Sequence, residues 1–285
     1  MLKSFAVNDS IRISRVYSFF QTVFAGGYRF PGELHNFWEC VYVRQGEVCA
    51  IADGKVYTLT QGHLIFHRPM EFHGLYVEEG KQAKLLIFSF AAEEMPEECH
   101  HDSVFSLESG QIEILNSLAD YVEQAHAKME TEDSPDIHWY QKYHRLFEEN
   151  PKSLQMIVTY LYQLILSLPN SERAIANSTQ PDAEVFHRAV EYMHLHLHTP
   201  MPVAELARYV NVSESSLLRI FRKYAQTSVH RYFLLMKIKA AVQMLESGMG
   251  VGQVAEKLGF GNASYFSVCF KRETGKMPTE IRKSE

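Results

Sequence analysis

The feature that most constrains the fold is an internal repeat in the C-terminal third of the sequence. Residues 203–233 and 251–282 carry the same unit, with corresponding apolar positions 48 residues apart in the first helix and 49 apart in the second. The second copy therefore has one extra residue between its helices. In both copies an apolar stripe at helical spacing, a short break and a second amphipathic stretch follow one another. The pattern predicts two helix-turn-helix units.

The residue types at the break in each copy are those that a sharp turn needs. Asn211 ends the first helix, because asparagine tolerates the left-handed conformation, and Ser213 is the predicted cap of the next helix. In the second unit Gly259 makes the turn and Asn262 is the predicted cap. The joining segment, 231–247, has apolar residues at helical spacing. A helix there would hold the two second helices one DNA turn, roughly 34 Å, apart.

The outward face of the second helix in each unit carries polar and basic side chains. In a helix-turn-helix protein this helix enters the major groove, where arginine and lysine contact phosphates and guanines. The predicted DNA-binding residues are Ser213, Ser215, Ser216, Arg219, Arg222 and Lys223 in the first unit and Asn262, Ser264, Tyr265, Ser267, Lys271 and Arg272 in the second. The competing interpretation is a plain helical domain that contacts no nucleic acid.

Charge is distributed unevenly along the chain. The formal net charge is −6 over 285 residues. Residues 182–285 contain 14 Lys+Arg against 10 Asp+Glu, a net charge of +4, whereas residues 1–181 contain 14 against 24, a net charge of −10. A DNA-binding domain attached to an acidic sensor would show this asymmetry. Because +4 is a modest charge, we expect DNA affinity to depend on where the charges lie and on dimerisation.

The second unit carries a specific family resemblance. Residues 254–260 read VAEKLGF, and residues 264–278 read SYFSVCFKRETGKMP. They resemble the DNA-binding domain of the AraC/XylS family of transcription regulators, in which a similar LGF segment precedes S-Y-F-x-x-x-F-K and a G-x-x-P ending. Val268 stands where family members usually have arginine, whereas Arg219 occupies the corresponding position of the first unit. The resemblance therefore implies that Arg219 is the safer choice for direct base readout.

Residues 5–92 alternate short β-rich runs with glycine and proline. Asp53 and Gly54, between two such runs, form a strong hairpin signal. Short strands with such punctuation predict an antiparallel barrel or jelly roll. The positions of Gly62, Pro69 and His73 resemble a cupin, and the AraC/XylS family often has a cupin-like sensor here. The predicted fold class is α+β with several domains: an N-terminal antiparallel β-barrel, then helices, then an all-α domain with two helix-turn-helix units.

Polar and aromatic residues of the predicted barrel are candidates for binding a ligand. The predicted effector-binding residues, with a small molecule bound directly and no metal or cofactor, are His35, Trp38, Glu39, Tyr42 and His73. One alternative is a divalent metal held by Glu33 together with His35, Glu39 and His73, since imidazole and carboxylate suit several metals. Another is a satisfied polar network. Because side chains alternate along a strand, Trp38 and Glu39 cannot both point into a regular barrel.

The middle of the chain separates into helical and polar stretches. We predict a cupin-like effector-sensing domain at 1–98, a helical region at 99–169, a linker at 170–182 and the DNA-binding domain at 183–285. An apolar stripe that ends at Leu168 either packs against the protein's own body or forms a dimer contact. The sequence has no membrane-length apolar run and no secretory signal pattern. The four cysteines lack metal-binding spacing and are typical of reduced cytoplasmic thiols.

These patterns together predict a cytoplasmic, dimeric regulator that is not an enzyme. Its partners would be promoter half-sites in double-stranded DNA and a small-molecule effector in the barrel. The family resemblance implies an activator of genes for carbohydrate or related catabolism, although the residues themselves set neither the sign of regulation nor the sugar. The alternatives are a metal-dependent cupin enzyme and a DNA-binding protein whose barrel only dimerises.

Overall fold

The computed structural model describes residues 11–33, 35–99, 104–129, 142–168, 172–173 and 181–281. The strands are β1 Arg12–Ala25, β2 Arg29–Glu33, β3 Trp38–Ala52, β4 Lys55–Thr60, β5 His63–His67, β6 His73–Tyr76, β7 Gln82–Glu93, β8 Val104–Ser106 and β9 Glu172–Arg173. The α-helices are α1 Ser109–Ala127, α2 His144–Glu149, α3 Pro151–Ser167, α4 Pro181–Leu195, α5 Val203–Tyr209, α6 Glu214–Tyr224, α7 Val229–Glu246, α8 Val251–Lys257, α9 Ala263–Thr274 and α10 Pro278–Ile281. The predicted fold class, an antiparallel barrel followed by helices and a helix-turn-helix domain, is confirmed.

Strand β3 is shared by two antiparallel sheets and joins them into the barrel. Its first half pairs with β5 and β7, and its second half pairs with β4 and β6. One sheet has the order β1-β7-β3-β5-β8-β9, while β2 joins the other sheet through β6. Strands β8 and β9 lie beyond residue 98, the predicted end of the sensor domain, so the sheet draws on a later part of the chain.

Alternation along β3 divides its side chains between the barrel interior and an outer face. Val41 and Val43 are buried inside the barrel with residues of β1 and β7. Trp38, Cys40 and Tyr42 are buried on the opposite face, in one cluster with residues of α1 and α3. Because burying one large apolar side chain stabilises a fold by roughly 1.5–3 kcal/mol, a one-residue slip that exchanged the two faces would be costly.

The β3–β4 hairpin turns at the two residues that the sequence indicated. Asp53 has φ 41° and Gly54 has φ 89°. Positive φ at both central residues characterises the two-residue hairpin turn whose twist matches its strands. A Cβ atom on Gly54 would come within 2.7 Å of Cβ of Val190 in α4. Glycine is therefore needed both for the turn and for close contact with the helical domain.

The helices that follow the barrel pack on its outer face. The apolar stripe predicted in this region is buried, with Ile157, Leu161 and Ile165 each at most 1% exposed. These residues of α3 belong to the same cluster as Trp38 and Tyr42 of β3. Of the two interpretations left open, packing against the protein's own barrel is therefore correct for this stripe. Dimerisation stays a prediction.

Two helix-turn-helix units follow, α5–α6 and α8–α9, joined by α7. Asn211 and Gly259 adopt the left-handed conformation at the two turns, with φ 62° and 64°. The side-chain oxygens of Ser213 and Asn262 each accept a hydrogen bond from the backbone N–H three residues further on. The turn and cap residues indicated by the repeat thus take the predicted positions.

The segment predicted as a linker, 170–182, lies only partly within the described residues. Glu172–Arg173 forms β9, which pairs with β8, and Pro181 begins α4. Residues 170–171 and 174–180 lie outside the described part of the chain. Where the linker can be followed, it therefore extends the barrel sheet at one end and begins the helical domain at the other.

The barrel and the helix-turn-helix domain share one hydrophobic cluster. The barrel contributes Cys49, Ile51, Val56, Met70, Phe72 and Tyr76 to it. Ring centroids of Phe72 and Tyr232 are 4.7 Å apart, and those of Tyr76 and Tyr224 are 6.1 Å apart. Buried aromatic pairs contribute about 0.5–1.5 kcal/mol each beyond the burial of their area. The two domains are therefore joined by packing as well as by the chain.

All four cysteines are buried, and none of them forms a disulfide bond within the described residues. Burial raises the pKa of the Cys40 thiol well above its ordinary range, which disfavours the reactive thiolate. Among residues that the structure describes, no helix combines the length and the hydropathy needed to cross a bilayer.

Gly275 ends α9 in the left-handed conformation, with φ 73°. Gly275→Ala is expected to lower the free energy of unfolding by about 1–2 kcal/mol, because a side chain strains this conformation even where space is open. Gly252→Ala in α8 is the matched control, since that site is also open but helical. It should stabilise by about 0.4–1 kcal/mol. Denaturant unfolding followed by circular dichroism measures both, and equal effects would contradict the capping role.

Candidate functional site

A cavity of about 390 Å³ lies inside the barrel. Its apolar lining comes from Tyr17, Phe20, Phe24, Tyr28, Phe30, Phe37, Leu75 and Ile87. Its polar lining comes from Ser18, Glu33, His35, Glu39, Ser89 and His144. Aromatic walls with a few convergent polar groups are the usual form of a small-molecule site. We call this cavity the barrel pocket.

Strand register assembles one polar part of the barrel pocket. Glu33 of β2 lies opposite His73 of β6, and Glu39 of β3 lies opposite Ser89 of β7. His35 lies in the connection between β2 and β3. One ligand atom from each of Glu33, His35, Glu39 and His73 lies within 4.8 Å of all the others. We call these four residues the carboxylate–histidine cluster.

Burial and charge give the two histidines of the cluster opposite protonation states. Burial, together with the charge of His73, lowers the pKa of His35 to about 4. Burial would also lower the pKa of His73, but the carboxylates of Glu33 and Glu39 outweigh it and raise the pKa to about 10. At neutral pH, His35 is therefore neutral and His73 carries a positive charge between two carboxylates.

A second layer of buried polar groups lies behind His73. The ring of His67 stacks on that of His73 with centroids 4.5 Å apart, and His67 Nδ1 lies 2.8 Å from Glu71 Oε1. Burial, together with the charge of His73, lowers the pKa of His67 to about 3. Burial raises the pKa of Glu71 to about 7. Arg68 Nε lies 3.3 Å from Glu71 Oε2, so this layer ties the 67–73 segment together.

Three of the five predicted effector-binding residues, His35, Glu39 and His73, come together in the cluster. Trp38 and Tyr42 do not line the barrel pocket, because they lie on the face of β3 opposite to Glu39. Each is 3% exposed and packs against the helices outside the barrel. The conflict that alternation raised between Trp38 and Glu39 is resolved in favour of Glu39.

Strand β1 contributes lining residues that were not among the predicted effector-binding residues. Phe20 and Phe24 face the cavity, and Ser18 Oγ lies 2.6 Å from Ser89 Oγ on the paired strand β7. Positions 18, 20 and 24 share one face of an alternating strand. This alternation could have predicted that the three side chains point into the barrel, but only once the inward face of β3 was known.

Helices α6 and α9 present the predicted DNA-binding residues. Nine of them are exposed: Ser213, Ser215, Arg219, Arg222, Asn262, Ser264, Tyr265, Lys271 and Arg272. Ser216, Lys223 and Ser267 are partly buried. All twelve lie in these two helices or at their N-caps, so the structure places them on two surface helices of the repeated unit.

A carboxylate on α4 pairs with Arg219 of α6. The guanidinium of Arg219 donates to Asp182 Oδ2 at 2.9 Å, and Lys223 Nζ lies 3.8 Å from the same oxygen. The Arg219 side chain is 61% exposed, so this ion pair contributes little stability. A DNA phosphate or guanine can therefore replace Asp182 at low cost. Asp182 lies in the first turn of α4 and was not among the predicted site residues.

The other basic side chains on α6 and α9 differ in whether they form ion pairs within the protein. Arg272 pairs with Glu273 at 2.7 Å, whereas Arg222 and Lys271 form no ion pair with described residues. Two apolar side chains on these helices, which were not among the predicted site residues, are also exposed: Leu218 is 43% exposed and Val268 is 65% exposed. Exposed apolar side chains on a recognition helix suit contact with thymine methyl groups.

Models of two protein domain families match separate parts of the chain. The AraC-like ligand binding domain matches residues 18–141, and the helix-turn-helix domain matches residues 206–284. The first match includes residues 18–25 of β1 and all of β2 to β8, and the second includes α6 and α9. A ligand-binding barrel followed by paired helix-turn-helix units defines a class of ligand-linked DNA-binding proteins. The chain belongs to the AraC/XylS family of DNA-binding transcription regulators.

Several curated proteins with similar sequences are named as transcription regulators. The transcriptional regulator GbdR of Pseudomonas aeruginosa is 29% identical over 149 residues, 50% of this chain and 40% of GbdR. The uncharacterized regulator YidL of Escherichia coli is 23% identical over 255 residues, 88% of this chain and 77% of YidL. The raffinose operon regulator RafR of Pediococcus pentosaceus is 29% identical over 131 residues, 45% of this chain and 47% of RafR. The chain thus spans less than half the length of GbdR and of RafR.

Arg219 and Lys271 are expected to make different kinds of DNA contact. Arg219→Ala should weaken binding to a specific site about 5- to 150-fold and relax the preference at one base position. Lys271→Ala should weaken binding to all sequences about equally and reduce the salt slope by about one, because it removes a phosphate contact. Titrations at several salt concentrations, with DNA selected from a random pool by the wild-type protein and with a scrambled copy, measure both effects. Equal losses on both DNAs for Arg219→Ala, or an unchanged salt slope for Lys271→Ala, would contradict these assignments.

Proposed function

We propose that the protein is a transcription regulator whose DNA binding responds to a small molecule in the barrel pocket. The observation that carries this proposal is the position of the segment 68–73. The segment ends at His73, which belongs to the carboxylate–histidine cluster. Its neighbour Phe72 packs on Tyr232 of α7, in the DNA-binding domain. A ligand that displaces His73 is therefore expected to change the packing of Phe72 on Tyr232.

Phe72 is held closely on both sides. Its ring lies against Gly32 of β2, where a Cβ atom would come within 2.2 Å of the ring. Gly32 directly precedes Glu33 of the cluster. The Phe72 backbone N–H donates to Asp53 Oδ1 at 3.1 Å. Since closely packed groups transmit displacement rather than absorb it, a shift of β2 or β6 would reach Phe72.

Asp53 provides a second, polar connection to the same helix. Its Oδ2 accepts hydrogen bonds from Lys239 of α7 at 2.6 Å and from Arg68 at 3.0 Å. Burial alone would raise the pKa of Asp53, but the charges of Lys239 and Arg68 outweigh it and lower the pKa. The carboxylate is therefore ionised at neutral pH and ties the β3–β4 turn to α7.

Helix α7 is well placed to affect both DNA-reading units, because it joins them. Tyr232 on α7 also packs against Phe221 of α6, with ring centroids 5.5 Å apart, and against Phe186 of α4, at 5.7 Å. A ligand that favours one position of Phe72 would thus bias the placement of α6. Such a population shift requires only that the ligand bind one arrangement more tightly than the other.

The effector that we propose is a carbohydrate or a related metabolite. Aromatic walls suit the C–H faces of a sugar ring, and the carboxylates of Glu33 and Glu39 accept hydrogen bonds from hydroxyl groups. The name of RafR associates that relative with a raffinose operon. The pocket chemistry and this relative together support the proposal.

We also propose that the protein acts as a cytoplasmic homodimer on adjacent promoter half-sites and has no enzymatic activity. The outer side of α3 leaves Met156 and Leu166 40% and 52% exposed, which provides apolar surface for a second copy. A modest positive charge on the DNA-binding domain also favours dimerisation, since two domains contact more phosphates than one.

Thermal unfolding across a panel of sugars and sugar acids tests the effector proposal. A bound sugar at 100 times its Kd should stabilise the native protein by about 2.7 kcal/mol. Phe24→Leu, in the pocket wall, should reduce the shift, whereas the matched change Phe66→Leu on the outer face should preserve it. The same sugar should change DNA affinity in a binding titration.

Other outcomes of this experiment would contradict parts of the proposal. A stabilising sugar that leaves DNA affinity unchanged would argue against coupling. A sugar that is chemically converted during incubation would favour the cupin-enzyme alternative. Equal shifts in the Phe24→Leu and Phe66→Leu variants would place the ligand outside the barrel pocket.

A further inference from the structure

Two buried imidazole nitrogens in the barrel lack hydrogen-bond partners. Nε2 of His35 and Nε2 of His73 are both buried, and neither makes a hydrogen bond within the described structure. The side chain of His73 is only 2% exposed, and that of His35 is 12% exposed. The nearest carboxylate oxygens, on Glu33 and Glu39, lie 3.5 Å or more from both nitrogens. A buried polar atom without a hydrogen bond costs about 1–3 kcal/mol, so two such atoms that face one space suit a bound ligand.

The other nitrogen of each ring is fixed by the backbone. His35 Nδ1 lies 3.0 Å from the carbonyl oxygen of Phe37, and His73 Nδ1 lies 2.8 Å from that of Glu71. Because a carbonyl only accepts hydrogen bonds, Nδ1 carries the proton in both rings. This arrangement orients Nε2 towards the cluster. Metal-binding histidines are characteristically held in the same way, with the second nitrogen donating to a carbonyl or carboxylate.

Two carboxylates complete the surroundings of these nitrogens. His73 Nε2 lies 3.6 Å from Glu33 Oε1 and 3.5 Å from Glu39 Oε1. His35 Nε2 lies 4.0 Å from Glu33 Oε1 and 3.9 Å from Glu39 Oε2. Ligands at about 2.1 Å from a tetrahedral metal ion are roughly 3.4 Å from one another. The four histidine–carboxylate distances exceed this spacing by about 0.1 to 0.6 Å, and all four ligand atoms lie within 4.8 Å of one another, which is wider than a closed metal site.

We propose that Glu33, His35, Glu39 and His73 bind one divalent transition-metal ion at the edge of the barrel pocket. Two imidazoles and two carboxylates suit Mn²⁺, Fe²⁺, Co²⁺, Ni²⁺ or Zn²⁺, whereas Ca²⁺ and Mg²⁺ prefer oxygen ligands alone. Each histidine binds the ion through Nε2 as a neutral imidazole, so any proton on that nitrogen is released to solvent. Two carboxylates balance the charge of the ion.

The metal site deepens the proposed function, because it lies in the wall of the pocket on which that function rests. Glu33, His35 and Glu39 line the cavity, so an ion that they hold is within reach of an oxygen-bearing effector. His73 adjoins Phe72, the residue that packs on α7. The binding of the ion itself requires only the barrel, so it can be measured without DNA and without an effector.

Metal titration of the full-length, tag-free protein tests this proposal. After removal of bound metal with a chelator, Co²⁺ and Zn²⁺ are added, with stoichiometry read by elemental analysis and Co²⁺ coordination by visible absorption. The wild-type protein should bind about one ion per chain with a Co²⁺–imidazole spectrum, and Mg²⁺ should not compete. Glu33→Gln, at a side chain that is 42% exposed, should weaken binding at least about tenfold.

Matched variants separate loss of a ligand from loss of the fold. Glu191→Gln makes the same change at an exposed carboxylate that lies 3.4 Å from His187 on α4, outside the barrel, and it should bind metal like the wild type. His35→Gln provides a second ligand change, and unfolding curves without metal identify any variant that fails to fold. No stoichiometric ion in the wild type, or equal affinity in Glu33→Gln and Glu191→Gln, would overturn the site. Metal binding with no response to any sugar would support the site and count against the sugar proposal alone.

Discussion

The close packing of the barrel's outer face on α7 is the contact on which the arrangement of the two domains depends. Phe72 packs on Tyr232, while Asp53 on the neighbouring turn binds Lys239. An apolar contact and a charged contact thus fix the same helix against the same face of the barrel. Helix α7 in turn joins the two helix-turn-helix units, and Tyr232 on α7 also packs against Phe221 of α6.

The same strands that form this interface also form the barrel pocket. Side chains alternate along β6 and its preceding loop, so His73 meets the cluster while Phe72 faces the helical domain. Strand β2 repeats this division, with Glu33 in the pocket and Gly32 against the ring of Phe72. A single layer of strands therefore separates the barrel pocket from the DNA-binding domain. No long chain of intermediates is needed for a ligand to affect α7.

Sequence reasoning was most successful where the determinants are local. The repeat located both helix-turn-helix units, and the residue types at Asn211 and Gly259 matched the left-handed turns. It was incomplete where the determinants are distant in sequence. Alternation limited β3 to one of two faces but left the choice between Trp38 and Glu39 open. Only the pairing of β2 with β6 brings Glu33 to His73, and the contact of Asp53 with Lys239 joins residues 186 positions apart.

Amide hydrogen exchange of α7 is the most direct measurement of coupling between the domains. Phe72→Leu removes ring contact on the barrel side only, and Phe66→Leu makes the same change on the other outer surface of the barrel. If the interface restrains α7, exchange across Val229–Glu246 should become faster in Phe72→Leu and remain at the wild-type rate in Phe66→Leu. Unchanged exchange in Phe72→Leu, with any increase confined to the barrel, would contradict the account.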